Sequence, residues 1–387
     1  MWPLLIRCRT RTGPSAAVRR LRIHVGALDL AGIESAARAR VPRDIWDFIE
    51  GGSGAERTLA ANRKIFERFA LRPRVLVDVS TCELGQTLLG TRLDTPIGIA
   101  PMAYHRLVDE EGETATAQGA GRAGALFVTS MFASRTLEDI AKAGGPRWLH
   151  LYWLRDRAAL AALVERAEAA GFGALVLTVD APRIGRRLRD QRNGFAVPPH
   201  IHAVNLDADL MATSHRSVKG SSGIAEHARE QFDTTLTWAD LGWLRARTRL
   251  PLVLKGILTA EDARLAVEHG VDAVVVSNHG GRQLDGAIPS LAALPEVVEA
   301  VPAELPVLFD GGVRSGTEAA IALALGARAV LVGRPVLWGL AVGGADGVHQ
   351  VLDLIRDELD HTMALLGLPR LADLDRGAVT DWPCPTD

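Results

Sequence analysis

The sequence predicts an α/β fold of the (β/α)8 TIM-barrel type, with an N-terminal helical cap and a long lid insertion between strands four and five. Three observations predict it. Eight short apolar runs follow one another between Pro96 and Pro335, longer amphipathic stretches separate them, and reactive side chains collect at the C-terminal ends of the runs. An open doubly wound sheet is the rival arrangement of the same alternation.

The runs are PIGIA (96–100), LFVTS (126–130), WLHLY (148–152), ALVLTVD (174–180), LVLKG (252–256), AVVVSNH (273–279), VLFDGG (307–312) and AVLVGRP (329–335). Unbroken apolar runs rich in Val, Ile and Leu read as strands buried on both faces, hence a parallel sheet. Between them lie helical patterns such as RAALAALVERAEAAG (157–171), AEDARLAVEHG (260–270) and TEAAIALALG (317–326). Each of these three ends in Gly, which takes the left-handed conformation that stops a helix.

Two regions exceed a bare barrel. Residues 28–95 read as a cap with helices over Ile33–Ala39 and near Arg43–Ile49. The stretch 193–240 is too long for a simple connection, and its Pro198-Pro199, Gly220, Ser221 and Ser222 suggest a mobile lid or a disordered insertion. The barrel domain is expected over 28–378 and a C-terminal tail over 379–387. Residues 1–27 carry Arg7, Arg9, Arg11, Arg19, Arg20 and Arg22 and no acidic residue. Such a start resembles a transit peptide; a disordered or mis-annotated extension is the plainer expectation.

Composition excludes several functions. With 387 residues, 48% hydrophobic and 23% charged, and a formal net charge of -2, the chain has no electrostatic footprint for nucleic acid or an acidic membrane surface. No stretch reaches the roughly 18 apolar residues of a membrane span. Cys8, Cys82 and Cys384 are far apart and odd in number, forming neither a disulfide framework nor a metal-ligand cluster, so a cytoplasmic location is expected.

The strand ends deliver Ala103, Ser130, His150 with Tyr152, Thr178 with Asp180, Lys255, Ser277 with His279, Asp310 with Arg314, and Gly333 with Arg334. Barrel active sites occupy this end. The DGGVRSG stretch, with Asp310, Gly311, Gly312 and Arg314, and the Gly333-Arg334 pair follow strands seven and eight, the usual phosphate cradle of the fold. His279 is suited to take a proton near neutral pH, with Asp180 to hold its ring. Arg187 and Arg282 could clamp a carboxylate. Lys255, alone in an apolar run, is costly to bury unpaired and makes sense beside a cofactor that becomes anionic.

These residues carry a resemblance. The chain resembles the FMN-dependent 2-hydroxy-acid oxidase and dehydrogenase family from about Leu28 to Leu371, through SNHGGRQLDG (277–286), TVDAPRIGRR (178–187), LKG, DGGVRSG and GRP in order, and through DFIEGGSGAERTLAANR (47–63). Within that family it is most similar to the 4-hydroxymandelate oxidases, through IWDFIEGGSGAE (45–56), APMAYHRL (100–107) and VLVGRPVLWGLA (330–341). The resemblance implies FMN as cofactor, a 2-hydroxy acid as substrate, O2 as acceptor with H2O2 as product, and a homotetramer. It implies His279 as base with Asp180 as partner, and Arg187, Arg282 and Tyr152 on the substrate. Lys255 would stabilise the reduced flavin. The phosphate would sit on Asp310–Arg314, Gly333 and Arg334, and Ala103, Ser130, Thr178 and Ser277 would line the ring.

Two positions depart from the family pattern. Phe48 stands where a tyrosine is common, which fits a bulkier aromatic substrate, so mandelate or its 4-hydroxy derivative is expected to outperform lactate and glycolate. His150 stands where a glutamine contacts the flavin edge. Ala103 resembles the oxidases rather than the mandelate dehydrogenases, but a dehydrogenase with another acceptor and a catalytically silent flavin-binding protein stay open at this point.

Overall fold

The computed structural model describes residues 29–216 and 220–382. The Arg-rich start, residues 1–27, lies outside the described residues. Eight parallel strands close into a barrel: β1 (Ile97–Ile99), β2 (Phe127–Ser130), β3 (Arg147–Leu151), β4 (Leu175–Thr178), β5 (Leu252–Ile257), β6 (Ala273–Val276), β7 (Val307–Asp310) and β8 (Ala329–Val332). They are neighbours in chain order, and β8 pairs with β1 to close the ring. The open-sheet alternative is therefore excluded.

Alternation along each strand explains why the runs are apolar throughout. Leu126, Val128, Trp148, Val176, Val253, Val275, Leu308 and Leu331 pack together in one buried cluster. Their neighbours Phe127, Leu149, Leu175, Leu252, Val274, Phe309 and Val330 belong to a second cluster that includes the helices. With period-2 geometry both faces of the sheet are thereby covered. A hairpin of Gln86–Leu88 and Thr91–Leu93 adds Leu88 and Leu93 to the first cluster, and Thr91 accepts a 3.1 Å hydrogen bond from the Trp148 indole.

The cap helices run over Leu30–Arg40, Arg43–Glu50 and Arg57–Lys64. Asp29 caps the first, accepting from Gly32 N at 2.8 Å. The insertion departs from expectation: among the described residues it holds helices at Ala208–Met211 and Gly223–Gln231 and buries Phe195, Val197, Ile201, Met211, Ala228 and Phe232. These side chains, interspersed among turn-formers, pack against the body, so the described part is not a disordered segment. The tail boundary also moves. Val379–Asp381 pairs antiparallel with Phe69–Leu71 and belongs to the domain.

Candidate active site

Strand register brings the site together. Ser130 lies beside His150 and Thr178 beside Lys255 across adjacent strands. Sixteen of the eighteen predicted site residues line one cavity at the C-terminal mouth, and the other two, Asp180 and Ser277, each hold one of them.

His279 is fixed from both sides. Its Nδ1 is 3.0 Å from Asp180 Oδ1, and its Nε2 is 3.3 Å from the Tyr152 hydroxyl. A carboxylate on Nδ1 selects the tautomer with its proton there and leaves Nε2 as the basic lone pair. Burial pulls the imidazole pKa below its ordinary value; Asp180 opposes this, and the charges of Lys255 and Arg187 add to it. The ring is thus neutral, as a base must be. The backbone at His279 is left-handed (φ 60°), with its N–H donated to Ser277 Oγ at 3.0 Å. Such a conformation outside glycine is uncommon and is found at sites that the surroundings over-determine. Gly256, at a bulge in β5, makes room for the partner: a Cβ there would lie 2.6 Å from that of Asp180.

Lys255 is not alone, as its isolated place in the sequence implied. Its Nζ lies 2.8 Å from Asp310 Oδ2 and donates to Ser277 Oγ at 2.8 Å. Asp310 was expected at the phosphate, but a carboxylate repels a phosphate and here neutralises an ammonium. Its Oδ1 has no partner, which leaves a buried acceptor facing the cavity, suited to a cofactor hydroxyl. The glycines beside it answer a packing demand as well. A Cβ on Gly312 (φ 96°) would lie 2.1 Å from the Asn62 carbonyl of the cap.

Guanidiniums dominate the rest of the mouth. Arg282 donates through Nη1 to the carbonyls of Phe48 (2.8 Å) and Gly51 (2.7 Å), and its carbon sits 5.3 Å from the Phe48 ring centre. Arg334 donates to Ile49 O, Gly51 O and Gly280 O, and Glu50 is 3.8 Å away. Arg314 stacks over Trp338 at 4.9 Å, and burial together with Arg334 brings its pKa down to about 10. Burial and the charges of Arg187 and Arg334 also push Arg282 well down. Arg187, itself buried, has an Nε without a partner. Positive charge crowded at low dielectric fits anionic ligands, here a phosphate and a carboxylate.

His150 resolves one departure. Its Nε2 is 2.8 Å from Thr178 Oγ1, its Nδ1 has no partner, and burial followed by the charges of Lys255 and His279 holds its pKa well below the usual value. A neutral imidazole, like an amide, offers both a donor and an acceptor. Burial likewise keeps the Tyr152 phenol protonated by raising its pKa.

Sequence reasoning missed part of the lining. Phe132, two residues past β2, was reachable from the strand-end rule. Tyr104, Ile224, His227, Ala228 and Phe232 also line the cavity, the last four from the insertion, where no periodicity pointed to them. Asp190 is buried with both carboxylate oxygens unpartnered, its pKa raised by burial against the pull of Arg282 and Arg187.

Fold and site together define a barrel enzyme suited to gather an anionic cofactor and an anionic substrate around the Asp180-bound imidazole of His279. The chain belongs to the FMN-dependent dehydrogenase family, whose family model matches residues 37–381. It is an FMN-dependent oxidoreductase. It is 49% identical to the L-lactate oxidase of a Nostoc species over 353 residues, covering 90% of this chain and 96% of that protein. It is also 49% identical to the 4-hydroxymandelate oxidase of Amycolatopsis orientalis over 340 residues, 88% and 94% of the two chains. A solved structure of mandelate oxidase with (S)-4-hydroxymandelic acid superposes with a TM-score of 0.87 at 47% identity, covering 90% of this chain and 97% of that one.

Proposed function

We propose that this enzyme oxidises an aryl (S)-2-hydroxy acid of the mandelate type to the 2-oxo acid, with O2 reduced to H2O2. The observation that carries the reading is the pairing of a neutral His279, bridged between Asp180 and Tyr152, with an aromatic wall of Phe48, Phe132, Tyr152 and Phe232 in the same cavity. Phe132 is 5.6 Å from Tyr152, and Tyr152 is 4.7 Å from Phe232, ring centre to ring centre. Such a wall matches an aryl group better than a methyl group.

FMN, when held here, would supply the redox chemistry that links the substrate to oxygen. Arg314, Arg334 and the backbone of Gly311, Gly312 and Gly333 would hold its phosphate, and Asp310 a hydroxyl of its chain. Lys255 would face the flavin as a cation, with Ala103, Ser130, His150, Thr178 and Ser277 around the ring. Arg187 and Arg282 grip the substrate carboxylate; Nη1 of Arg282 is anchored on the cap, and the remainder of its fork supplies donors. Tyr152 donates to substrate oxygen. His279 Nε2 takes one proton from the substrate, from the hydroxyl or from Cα, and Asp180 stabilises the imidazolium that results.

The equal identity to an L-lactate oxidase supports a second reading, oxidation of a small aliphatic 2-hydroxy acid. An anaerobic titration with (S)-mandelate, (S)-lactate and glycolate separates the two. Flavin bleaching most efficient with mandelate, and recovery with peroxide formation on admitting air, is the expected result; equal or better turnover of glycolate would overturn the aryl reading. A homotetramer and a cytoplasmic location complete the proposal, supported respectively by the family likeness and the scattered cysteines. Among the described residues no helix is long and apolar enough to cross a membrane.

A further inference from the structure

His227 has no part in the chemistry above, yet it is 3% exposed and lines the same cavity. It projects from the insertion helix Gly223–Gln231, edge-on to Phe132 with ring centres 5.5 Å apart. Phe132 in turn contacts Tyr152, so the imidazole stands one ring away from Tyr152, which itself meets His279. Under strict geometry both ring nitrogens are unpaired; the Leu210 carbonyl lies beside one of them, and the other has no candidate partner. Buried side-chain polar atoms have a partner in the large majority of cases, so an imidazole nitrogen left open in an aromatic wall of the active-site cavity is a candidate for a ligand contact.

We infer that His227 is a specificity-determining residue that hydrogen-bonds a donor group, such as a phenolic hydroxyl, at the far end of the substrate's aryl ring. The inference rests on the aryl 2-hydroxy-acid reading and adds to it a preference for ring-hydroxylated substrates. The chemistry of the ring sets the polarity of the contact. Burial lowers the pKa of His227 to about 4, so it is neutral under assay conditions, with one N–H and one lone pair. The carbonyl of Leu210 is its backbone neighbour and favours an N–H directed towards it. The other nitrogen is then an acceptor, which a phenol satisfies and a methyl ether does not.

The test compares kcat/KM for (S)-mandelate and its 4-hydroxy, 4-methoxy and 4-fluoro derivatives in the flavin-loaded wild type and in His227→Phe and His227→Gln. The wild type should favour the 4-hydroxy acid over the 4-methoxy and 4-fluoro acids. The 4-hydroxy to unsubstituted ratio should fall about 5–10-fold in His227→Phe, the range of one neutral hydrogen bond, and recover in part in His227→Gln. A ratio that stays within twofold in both variants, while the aryl acids are still oxidised, would remove His227 from this role and leave the mandelate reading intact. A wild type with no preference for 4-hydroxy over 4-methoxy would do the same without any variant. Oxidation of lactate with none of the aryl acids would sink both readings together.

Discussion

Replacing Lys255 by Met tests whether the ammonium is a structural counter-ion as well as a cofactor ligand. Lys255 and Asp310 have side chains 5% and 8% exposed, and their charged atoms are 2.8 Å apart. At an effective dielectric of 20, charges at that separation attract by about 6 kcal/mol before desolvation is subtracted. Removing one partner strands the other, which typically costs about 3–5 kcal/mol. Spread over a barrel of this size, that is a fall in Tm of roughly 4–7 °C. The assay is thermal unfolding of flavin-free protein, for Lys255→Met, Asp310→Asn and the double variant. Lys255→Met should be less stable than the wild type at neutral pH. The double variant should recover most of the loss, yet remain poor in turnover because the cation at the cofactor is gone. A single variant within about 1 kcal/mol of wild type, or a double variant no better than Lys255→Met, would refute the counter-ion argument.

Four more predictions follow from the same geometry. His279→Ala should lower kcat/KM by about 10²–10⁴-fold while the protein still binds FMN, and a drop below tenfold, read by steady-state kinetics and the flavin spectrum, would remove the base assignment. Because His279 must be neutral to act and burial depresses its pKa, kcat/KM should hold through pH 6.5 and fall only on further acidification; an acid limb centred above 6.5 would contradict this. His105, His150, His227 and His279 are all held below their ordinary pKa, so the unfolded chain takes up protons that the folded chain refuses. Stability is therefore intact above about pH 6.5 and declines below it, by up to about 1.4 kcal/mol per pH unit for each histidine until its folded pKa is reached, which urea titrations at several pH values would show. Gly312→Ala should destabilise the cap–barrel contact and weaken FMN binding, since its methyl would meet the Asn62 carbonyl; unchanged Tm and flavin affinity would argue against that packing role.

The barrel and most of its mouth were legible in the sequence for one reason. Parallel strands buried on both faces write continuous apolar runs, and a barrel places whatever polar residue ends a run at one rim. His279, Lys255, Asp310 and Arg334 were found in that way, before any pairing between them could be seen. The sequence also determined the chemistry available: which strand ends carry a base, a cation or a glycine. Only the tertiary structure decided the partnerships. Lys255 and Asp310 are 55 residues apart and meet because β5 and β7 converge on the same side of the mouth. Arg282 is tied to the carbonyls of Phe48 and Gly51 because the cap folds back over the rim. His227 and Phe232 reach the cavity from an insertion whose composition resembled a loose loop, since burial there is set by side chains packing across long sequence separations rather than by any local period. A strand's pattern is local and can be read along the chain; the neutralisation of a buried charge is a matter of distance in space, which the chain order does not contain.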